Sequence, residues 1–185
     1  IGWEAQFEIA SALLKSNEFS LNPRNLRGHN LYLMPVVDKK TGFDFDIFFF
    51  HDKGDHFLHG IQSRLGYTFH YKFSKFGLKS HTFLDNEFLI PDNYSEMLTE
   101  NYGPDWKTPN KNYFVNIESP ALQKKSGDTF AFAIRHEMLQ CMENGATKEK
   151  ANTLIKVLES VKRDKDKPSD KLVNHFLNEF KKQNQ

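Results

Sequence analysis

Two carboxylates one residue apart, Asp44 and Asp46, form the most chemically suggestive pair in the sequence. They alternate with Phe43, Phe45 and Ile47 after a Thr-Gly turn, and a period of two predicts a strand. Because alternate side chains of a strand share a face, both carboxylates should point the same way. A charge in so apolar a strand must be paired, exposed at an edge or bound to a metal. Two interpretations stay open: a metal-binding or catalytic pair, and an edge strand with one face in water.

A second group of polar side chains follows this strand, in a segment that the sequence predicts to be a loop. Its members are His51, Asp52, Asp55, His56 and His59. Histidine and carboxylate groups can bind zinc, but their spacing here matches no familiar ligand set. The pattern favours histidines at the surface, or behind a site, over a zinc centre.

Aromatic and basic side chains alternate in a third candidate stretch, between Gly66 and Phe76. Such a stretch could bind single-stranded nucleic acid, because rings stack on bases while lysines meet phosphates. The strict alternation and a net charge of +1 for the whole chain favour instead a strand pair that packs on a core. Lys72 and Lys75 could still reach a phosphate as point charges.

The elements that must position these residues begin with a helix over residues 3–15. Its apolar positions recur with helical spacing. They are Phe7, Ala10 and Leu14, broadened by Ile9, Ala12 and Leu13. A strand is predicted over residues 30–37, with Pro35 marking an edge or a bulge. The polar turn 38–42 then joins this strand to the carboxylate-bearing strand as an antiparallel hairpin.

Further along the chain, residues 83–91 are predicted to form another strand, and a short helix runs from there to about Asn101. Gly103 should end this helix with a left-handed cap. Trp106, Lys107 and Lys111 follow in an irregular basic loop, where a packing role for the tryptophan is the simpler interpretation. Three amphipathic helices are predicted at 128–143, 147–163 and 169–182. Their apolar stripes would bury against the rest of the chain, or less simply dock on a partner or a membrane surface.

Composition limits the class of protein. A chain of 185 residues suggests one domain with at most a small appendage. The net charge of +1 gives no general attraction to nucleic acid or acidic membranes. The single cysteine, Cys141, excludes an internal disulfide framework and a cysteine-rich zinc site. No apolar run approaches the roughly 18 residues that suggest a membrane span. No signal peptide is visible, but the chain begins with Ile rather than Met.

Three motifs in order give the sequence a family resemblance. The stretch from Ile90 to Pro109 (IPDNYSEMLTENYGPDWKTP) resembles the closing motif of the LicD/fukutin family, whose general form is P-x-x-x-x-x-Y/L-L-x-x-x-Y-G-x-x-W-x-x-P. Residues 42–50 resemble the fukutin-like D-I-F-F-F strand, and residues 66–76 resemble the segment leading to K-F. The resemblance covers roughly residues 1–120.

The resemblance implies an α+β fold of the nucleotidyltransferase-like kind, a mixed sheet flanked by helices. It also implies transfer of a phospho-alcohol, such as phosphocholine or ribitol phosphate, from a CDP-activated donor to a glycan. Such transfer uses Mg²⁺ or Mn²⁺ to neutralise the diphosphate and position the attacking hydroxyl. Residues 1–125 would then form a partial catalytic domain, and residues 126–185 would form a helical extension.

The resemblance also assigns roles to residues. Asp46 directly precedes Ile-Phe-Phe-Phe and matches the family's third metal-binding carboxylate, so it is the expected catalytic residue and metal ligand. Asp44 is the less expected metal ligand of the two, because fukutin-like sequences do not require a carboxylate there. Lys75 would pair with donor phosphate. Trp106, Lys107 and Lys111 would contact the donor or the acceptor.

One departure from the family is expected to matter for activity. The glycine motif and the Asp-x-Asp pair of the family should precede Ile1, because Ile1-Gly2 resembles the end of the strand that carries them. We therefore expect this chain alone to be inactive, either as a fragment of an enzyme or as a non-catalytic binding or regulatory protein derived from the same fold. A bacterial enzyme of this family would work in the cytoplasm and a eukaryotic one in the Golgi lumen.

Overall fold

A computed structural model of the chain describes residues 5–21, 32–62, 68–110 and 113–123, with isolated positions between 134 and 182. Eight strands and three helices lie in these described residues. The described positions beyond 133 have helical backbone, as the sequence predicts for the tail. The lengths of the three predicted tail helices and the domain boundary at residue 125 stay predictions.

The first helix, α1, spans Ala5–Ser16 and packs on the first sheet. Ile9, Ala10 and Leu13 lie against a core cluster that contains Val36 and Phe49. The predicted helix is therefore confirmed, but its buried stripe is narrower than predicted. Phe7 is 76% exposed and Leu14 is 54% exposed, because the sheet covers only one side of the helix.

The first sheet consists of β1 (Phe19–Leu21), β2 (Leu33–Asp38) and β3 (Asp44–Phe48), paired antiparallel in that order. Pro35 lies opposite Asp46 in β3. On its other side, β1 reaches only as far as Val36. Proline lacks an N–H, so it donates no hydrogen bond to the strand ladder at this position. The predicted edge or bulge at Pro35 stays a prediction, because β2 is the middle strand of the described sheet and the residues that follow β1 lie outside the described ones.

A tight turn joins β2 to β3. The Asp38 carboxylate accepts hydrogen bonds from the backbone N–H groups of Lys40 (2.8 Å) and Thr41 (3.2 Å). These two bonds lower the pKa of Asp38. Gly42 closes the turn with φ +72°, which favours glycine, and donates its N–H to the Asp38 carbonyl at 2.8 Å. The predicted hairpin is confirmed.

The second sheet consists of β4 (His51–Asp52), β5 (His56–Gln62) and β6 (Thr68–Ser74), also antiparallel and in that order. Phe69, Tyr71 and Phe73 of β6 are buried, which confirms that the aromatic alternation forms one strand of a pair packed on a core. The predicted loop at residues 51–56 is wrong in part. His51 and Asp52 pair with β5, and only Lys53 to Asp55 form the turn.

A third, two-stranded sheet consists of β7 (Leu78–Phe83) and β8 (Asn86–Pro91). The sequence predicted a single strand over residues 83–91 and missed β7. Two residues with positive φ, Leu84 (+48°) and Asp85 (+59°), form the tip of this hairpin. All of β7 is exposed, so its side chains lack the burial that produces a clear pattern of alternating hydrophobicity.

Two further helices follow, α2 (Tyr94–Tyr102) and α3 (Val115–Glu118). Glu100 of α2 accepts hydrogen bonds from the backbone N–H and the hydroxyl of Ser74, which fixes the helix against β6. Gly103 follows α2 with φ +89° and ψ 175°. The positive φ confirms the need for glycine, although the extended ψ differs from the predicted left-handed cap.

The described strands and helices make this an α+β protein, as predicted. Every strand pair among the described residues is antiparallel, so the parallel pairs of a mixed sheet are not seen there. The nucleotidyltransferase-like arrangement stays a prediction. None of the helices in the described part of the chain is both long enough and apolar enough to cross a membrane.

Candidate functional site

The two predicted metal ligands lie on the same face of β3. Asp44, Asp46 and Phe48 are exposed, whereas Phe45 and Ile47 are half-buried against the core. Among the described residues β3 lies at the edge of its sheet, opposite Val37 and Pro35 at the two carboxylates. The sequence correctly predicted both the shared face and an edge strand with that face in water.

The environment of Asp46 disfavours the charged form of its carboxyl group. Partial burial raises the pKa of the Asp46 carboxyl, and repulsion from the Asp44 carboxylate raises it further. A divalent cation bound between two such groups would relieve this repulsion. Carboxylate oxygens are also the protein ligands that magnesium prefers, with waters or substrate oxygens completing its shell. The pair therefore fits a magnesium site with few protein ligands.

The histidines and aspartates after β3 do not converge on a zinc site. Asp52 forms an ion pair with Lys75, His56 bonds to Asp55, and His59 bonds to the Phe49 carbonyl. Within the described residues, no group of three or more His, Cys, Asp or Glu side chains is arranged to hold a metal ion.

Lys75, the predicted phosphate-binding residue, follows β6 directly. Its ammonium group forms an ion pair with Asp52 and lies 4.3 Å from the centroid of the Phe57 ring. The hydrogen bond from Lys75 is the main cause that lowers the pKa of Asp52. Lys75 therefore has a carboxylate partner other than the two predicted metal ligands, and a donor phosphate would have to compete with it.

Trp106 and Lys107 lie in the turn after α2. Trp106 is half-buried and Lys107 is exposed, with its ammonium nitrogen 5.5 Å from the centroid of the Trp106 ring. The structure thus brings these two predicted residues together. The third member of the predicted group, Lys111, lies outside the described residues.

An aromatic cavity of about 370 Å³ lies between the end of β3, the second sheet and α2. Its rings come from Phe48, Phe50, Tyr71, Phe73 and Tyr102. Aliphatic side chains of β5, α2 and α3 and the amide side chain of Asn101 also line it. Because side chains two apart on a strand share a face, Phe48 places this cavity on the side of β3 that carries Asp46.

His59 also lines this cavity, and the sequence did not single it out as a binding residue. It was predicted to be at the surface or behind a site, but it is only 5% exposed. Its ring lies 5.1 Å from that of Phe48 and 5.2 Å from that of Phe50, centroid to centroid. The sequence contained no clear signal for this burial, because it depends on the pairing of β5 with β6.

Comparison with known proteins identifies one relation. Over 85 residues the chain is 35% identical to the ribitol-5-phosphate transferase FKTN of Mus musculus and of Macaca fascicularis, and 34% identical to that of Homo sapiens. Each match covers 45% of this chain and 18% of the relative's length. No family model matches the chain, and no solved structure does.

These matches support a relation to a transferase of the fukutin type over less than half of the chain. They agree with the resemblance found in the sequence motifs. The chain spans about a fifth of the length of the relatives it matches.

Proposed function

We propose that the chain forms part of a metal-dependent transferase that moves a phospho-alcohol, of the ribitol phosphate kind, from a CDP-activated donor to a glycan. The observation that carries this proposal is the Asp44–Asp46 pair on one exposed face of β3, where repulsion and partial burial raise the pKa of Asp46. The similarity to ribitol-5-phosphate transferases supports the class of cargo.

In this proposal Asp46 and Asp44 hold a magnesium or manganese ion. When bound, the ion neutralises the charge of the donor diphosphate and of the transferred phosphoryl group. Asp46 is the principal ligand of this proposal, because it matches the family's metal-binding carboxylate, and a bound cation would relieve its repulsion from Asp44. Asp44 and Asp46 are both exposed, which would let a large, charged donor approach the pair.

Other residues of the chain would bind and orient the substrates. Lys75 would exchange its Asp52 partner for a donor phosphate, while the Phe57 ring beneath it keeps the side chain in place. Trp106 with Lys107 would present a flat ring and a positive charge to a sugar or a base. Lys111 belongs to the same proposed group. A location in the Golgi lumen, implied by the resemblance for a eukaryotic protein, is part of this proposal.

The test is transfer of ribitol phosphate from CDP-ribitol to a glycan acceptor by the full natural polypeptide, with and without Mg²⁺. Asp46→Asn should lower the rate by about a hundredfold or more, because loss of a metal ligand removes several kcal/mol of charge stabilisation. Asp85→Asn, at the exposed tip of the β7–β8 hairpin, is the matched control and should leave the rate unchanged. Equal rates for wild type and Asp46→Asn would contradict the proposed role of the pair.

The aromatic cavity favours a second candidate function, a non-catalytic binding or regulatory protein derived from the same fold. Its wall is largely apolar, which suits the binding of a ligand rather than phosphoryl transfer. The same assay separates the two. A polypeptide that binds Mn²⁺ in an Asp46-dependent way but transfers no ribitol phosphate from CDP-ribitol would favour this candidate.

A further inference from the structure

A tyrosine ring joins the first sheet to the second. Tyr32 directly precedes β2, and its carbonyl accepts a hydrogen bond at 2.8 Å from the N–H of Phe49, which follows β3. The Tyr32 ring lies on the backbone of Gly60 in β5, where an added Cβ would be 2.7 Å from a ring carbon. Glycine is therefore needed for this close approach. We call the contact of Tyr32 and Phe49 with β5 the sheet junction.

Three histidines of the second sheet surround the Tyr32 ring. His51, His59 and His70 lie 4.7, 6.0 and 5.8 Å from it, centroid to centroid. They come from β4, β5 and β6, one from each strand of the sheet. Histidine is the side chain whose charge ordinarily changes between about pH 5 and 8. The sheet junction therefore gathers groups that respond to mild acid.

His59 has no place for a second proton in the folded chain. Its Nδ1 lies 3.1 Å from the carbonyl oxygen of Phe49, and a carbonyl only accepts, so Nδ1 carries the proton of the neutral ring. Its Nε2 is buried and has no hydrogen-bond partner among the described residues. A proton on Nε2 would create a buried charge without an acceptor. To take up that proton, Nε2 must first reach water, so the rings around it must move.

The surroundings of His59 do not compensate a positive charge on its ring. Burial is the main cause that lowers the pKa of His59; the hydrogen bond to the Phe49 carbonyl opposes this shift, and the neighbouring His51 adds to it. Among the described residues, the wall of the aromatic cavity that His59 lines contains no carboxylate. The other titratable side chains around it are the phenols of Tyr32, Tyr71 and Tyr102. These neighbours favour the neutral ring.

We propose that His59 makes the sheet junction an acid-sensitive switch. At neutral pH the junction is closed around a neutral imidazole. In mild acid, protonation of Nε2 favours an open state, in which the imidazole reaches water and the contacts of Tyr32 and Phe49 with β5 are released. The switch needs only the junction and His59, and it stands whether or not the chain takes part in transfer.

The direction of the pH dependence follows from the difference in proton affinity between the two states. In the open state His59 has the ordinary histidine pKa of about 6.5, whereas in the closed state its pKa is lowered. The closed state is therefore fully favoured above this ordinary value. It loses stability relative to the open state as the pH falls below that value, until the lowered value is reached. Between about pH 7.5 and about pH 5.5 the open fraction should rise by up to about tenfold.

Hydrogen exchange at one amide measures the opening, because the Phe49 N–H is bonded across the junction to Tyr32. Its protection factor, which corrects for the intrinsic pH dependence of exchange, is measured by NMR on the full chain at about pH 7.5 and about pH 5.5. We expect protection of Phe49 to fall by up to about tenfold. The Asp38 N–H, bonded to the Phe43 carbonyl at 2.9 Å in the turn at the other end of the hairpin, should keep its protection.

The protonation state of His59 is read separately from its ring nitrogen resonances in the wild-type chain. At about pH 6.5 a free imidazole is half protonated, whereas His59 should remain neutral with its proton on Nδ1. His59→Gln keeps an N–H donor for the Phe49 carbonyl but cannot titrate, so the loss of protection in acid should disappear. His81→Gln removes a histidine from exposed β7 and should preserve it.

Three results would overturn the proposal. One is a half-protonated His59 ring in the folded wild-type chain at about pH 6.5. Another is a Phe49 protection factor that does not change with pH, or that falls only as much as that of Asp38. The last is an acid response that persists in His59→Gln, which would assign the response to another group. Because the first two measurements need no variant, they decide the question even if His59→Gln fails to fold.

Discussion

At the scale of single residues, Asp46 couples the candidate site to folding. Its pKa is raised in the folded chain, so the folded state holds this proton more tightly than the unfolded state does. Stability therefore decreases as the pH rises from the ordinary carboxyl value through the raised one, and the loss is complete above the raised value. Without a bound cation, the ionised Asp46 destabilises the fold at neutral pH.

Asp46→Asn should accordingly raise Tm in the absence of divalent cations at about pH 7, and leave it nearly unchanged at about pH 3 where the carboxyl is protonated. Solvent screening limits the rise to about 1–2 °C. Thermal melts followed by circular dichroism measure it, with Asp105→Asn as the control. A lower Tm for Asp46→Asn in metal-free buffer would show that the carboxylate has a stabilising partner.

Substitution of Lys75 distinguishes a role of this side chain in substrate binding from a purely structural role. In the full natural polypeptide, Lys75→Ala should lower turnover about tenfold or more if the ammonium group binds donor phosphate. Tm should change little, because the Asp52 side chain of the ion pair is 63% exposed and solvent screens the pair. Lys53→Ala, in the neighbouring turn, controls for the loss of a surface charge. A change in Tm with unchanged kinetics would remove Lys75 from the site and leave it a structural partner of Asp52.

At the scale of elements, the turn between β2 and β3 sets the position of the carboxylates. Gly42 has φ +72°, and a Cβ there would meet no atom within 4 Å. Any cost of substitution is therefore backbone strain rather than a clash. Since a one-residue slip of β3 would turn Asp44 and Asp46 toward the core, this turn also protects the register of the candidate site.

Gly42→Ala should lower the free energy of unfolding by about 1–2 kcal/mol, the cost of a left-handed conformation for an ordinary residue. Gly42→Asn should lose less, because asparagine tolerates this conformation. Urea unfolding of the two variants measures the difference. Equal losses for alanine and asparagine would mean that strain at this φ does not control the turn.

At the scale of the whole molecule, the described strands form three separate sheets of unequal burial. The second sheet contains buried Phe69, Tyr71 and Phe73, whereas every residue of β7 is exposed and most of β8 is too. Leu84 at the tip of the β7–β8 hairpin is 77% exposed and Leu89 is 69% exposed. Little apolar burial stabilises this hairpin beyond its own ladder of hydrogen bonds.

Hydrogen exchange should therefore differ between the sheets. Amides of β7 and β8 should exchange at least about a hundredfold faster than those of β5 and β6, because sparsely packed elements open locally at low free-energy cost. Exchange followed by mass spectrometry or NMR at one pH measures the ratio. Similar protection of both sheets would indicate that the hairpin is covered in solution, by another part of the chain or by a second molecule.

The sequence by itself determined the local features of this protein. It predicted α1, the hairpin of β2 and β3, the common face of Asp44 and Asp46 and the buried alternation of β6. These features depend on period and turn chemistry within a short window, so neighbouring residues contain the whole signal. Strand β7 was missed because its exposed side chains have no strong alternation and its turn, Leu84-Asp85, lacks the usual glycine.

Contacts between side chains of different elements became visible only in the folded chain. The tertiary structure paired Lys75 with Asp52, placed Phe48 beside His59, and buried that histidine, whose Nε2 has no hydrogen-bond partner among the described residues. It also turned Phe7 and Leu14 of α1 toward solvent, although the helical period marked them as apolar positions. Such contacts depend on how sheets and helices pack, and packing joins residues that no local pattern connects.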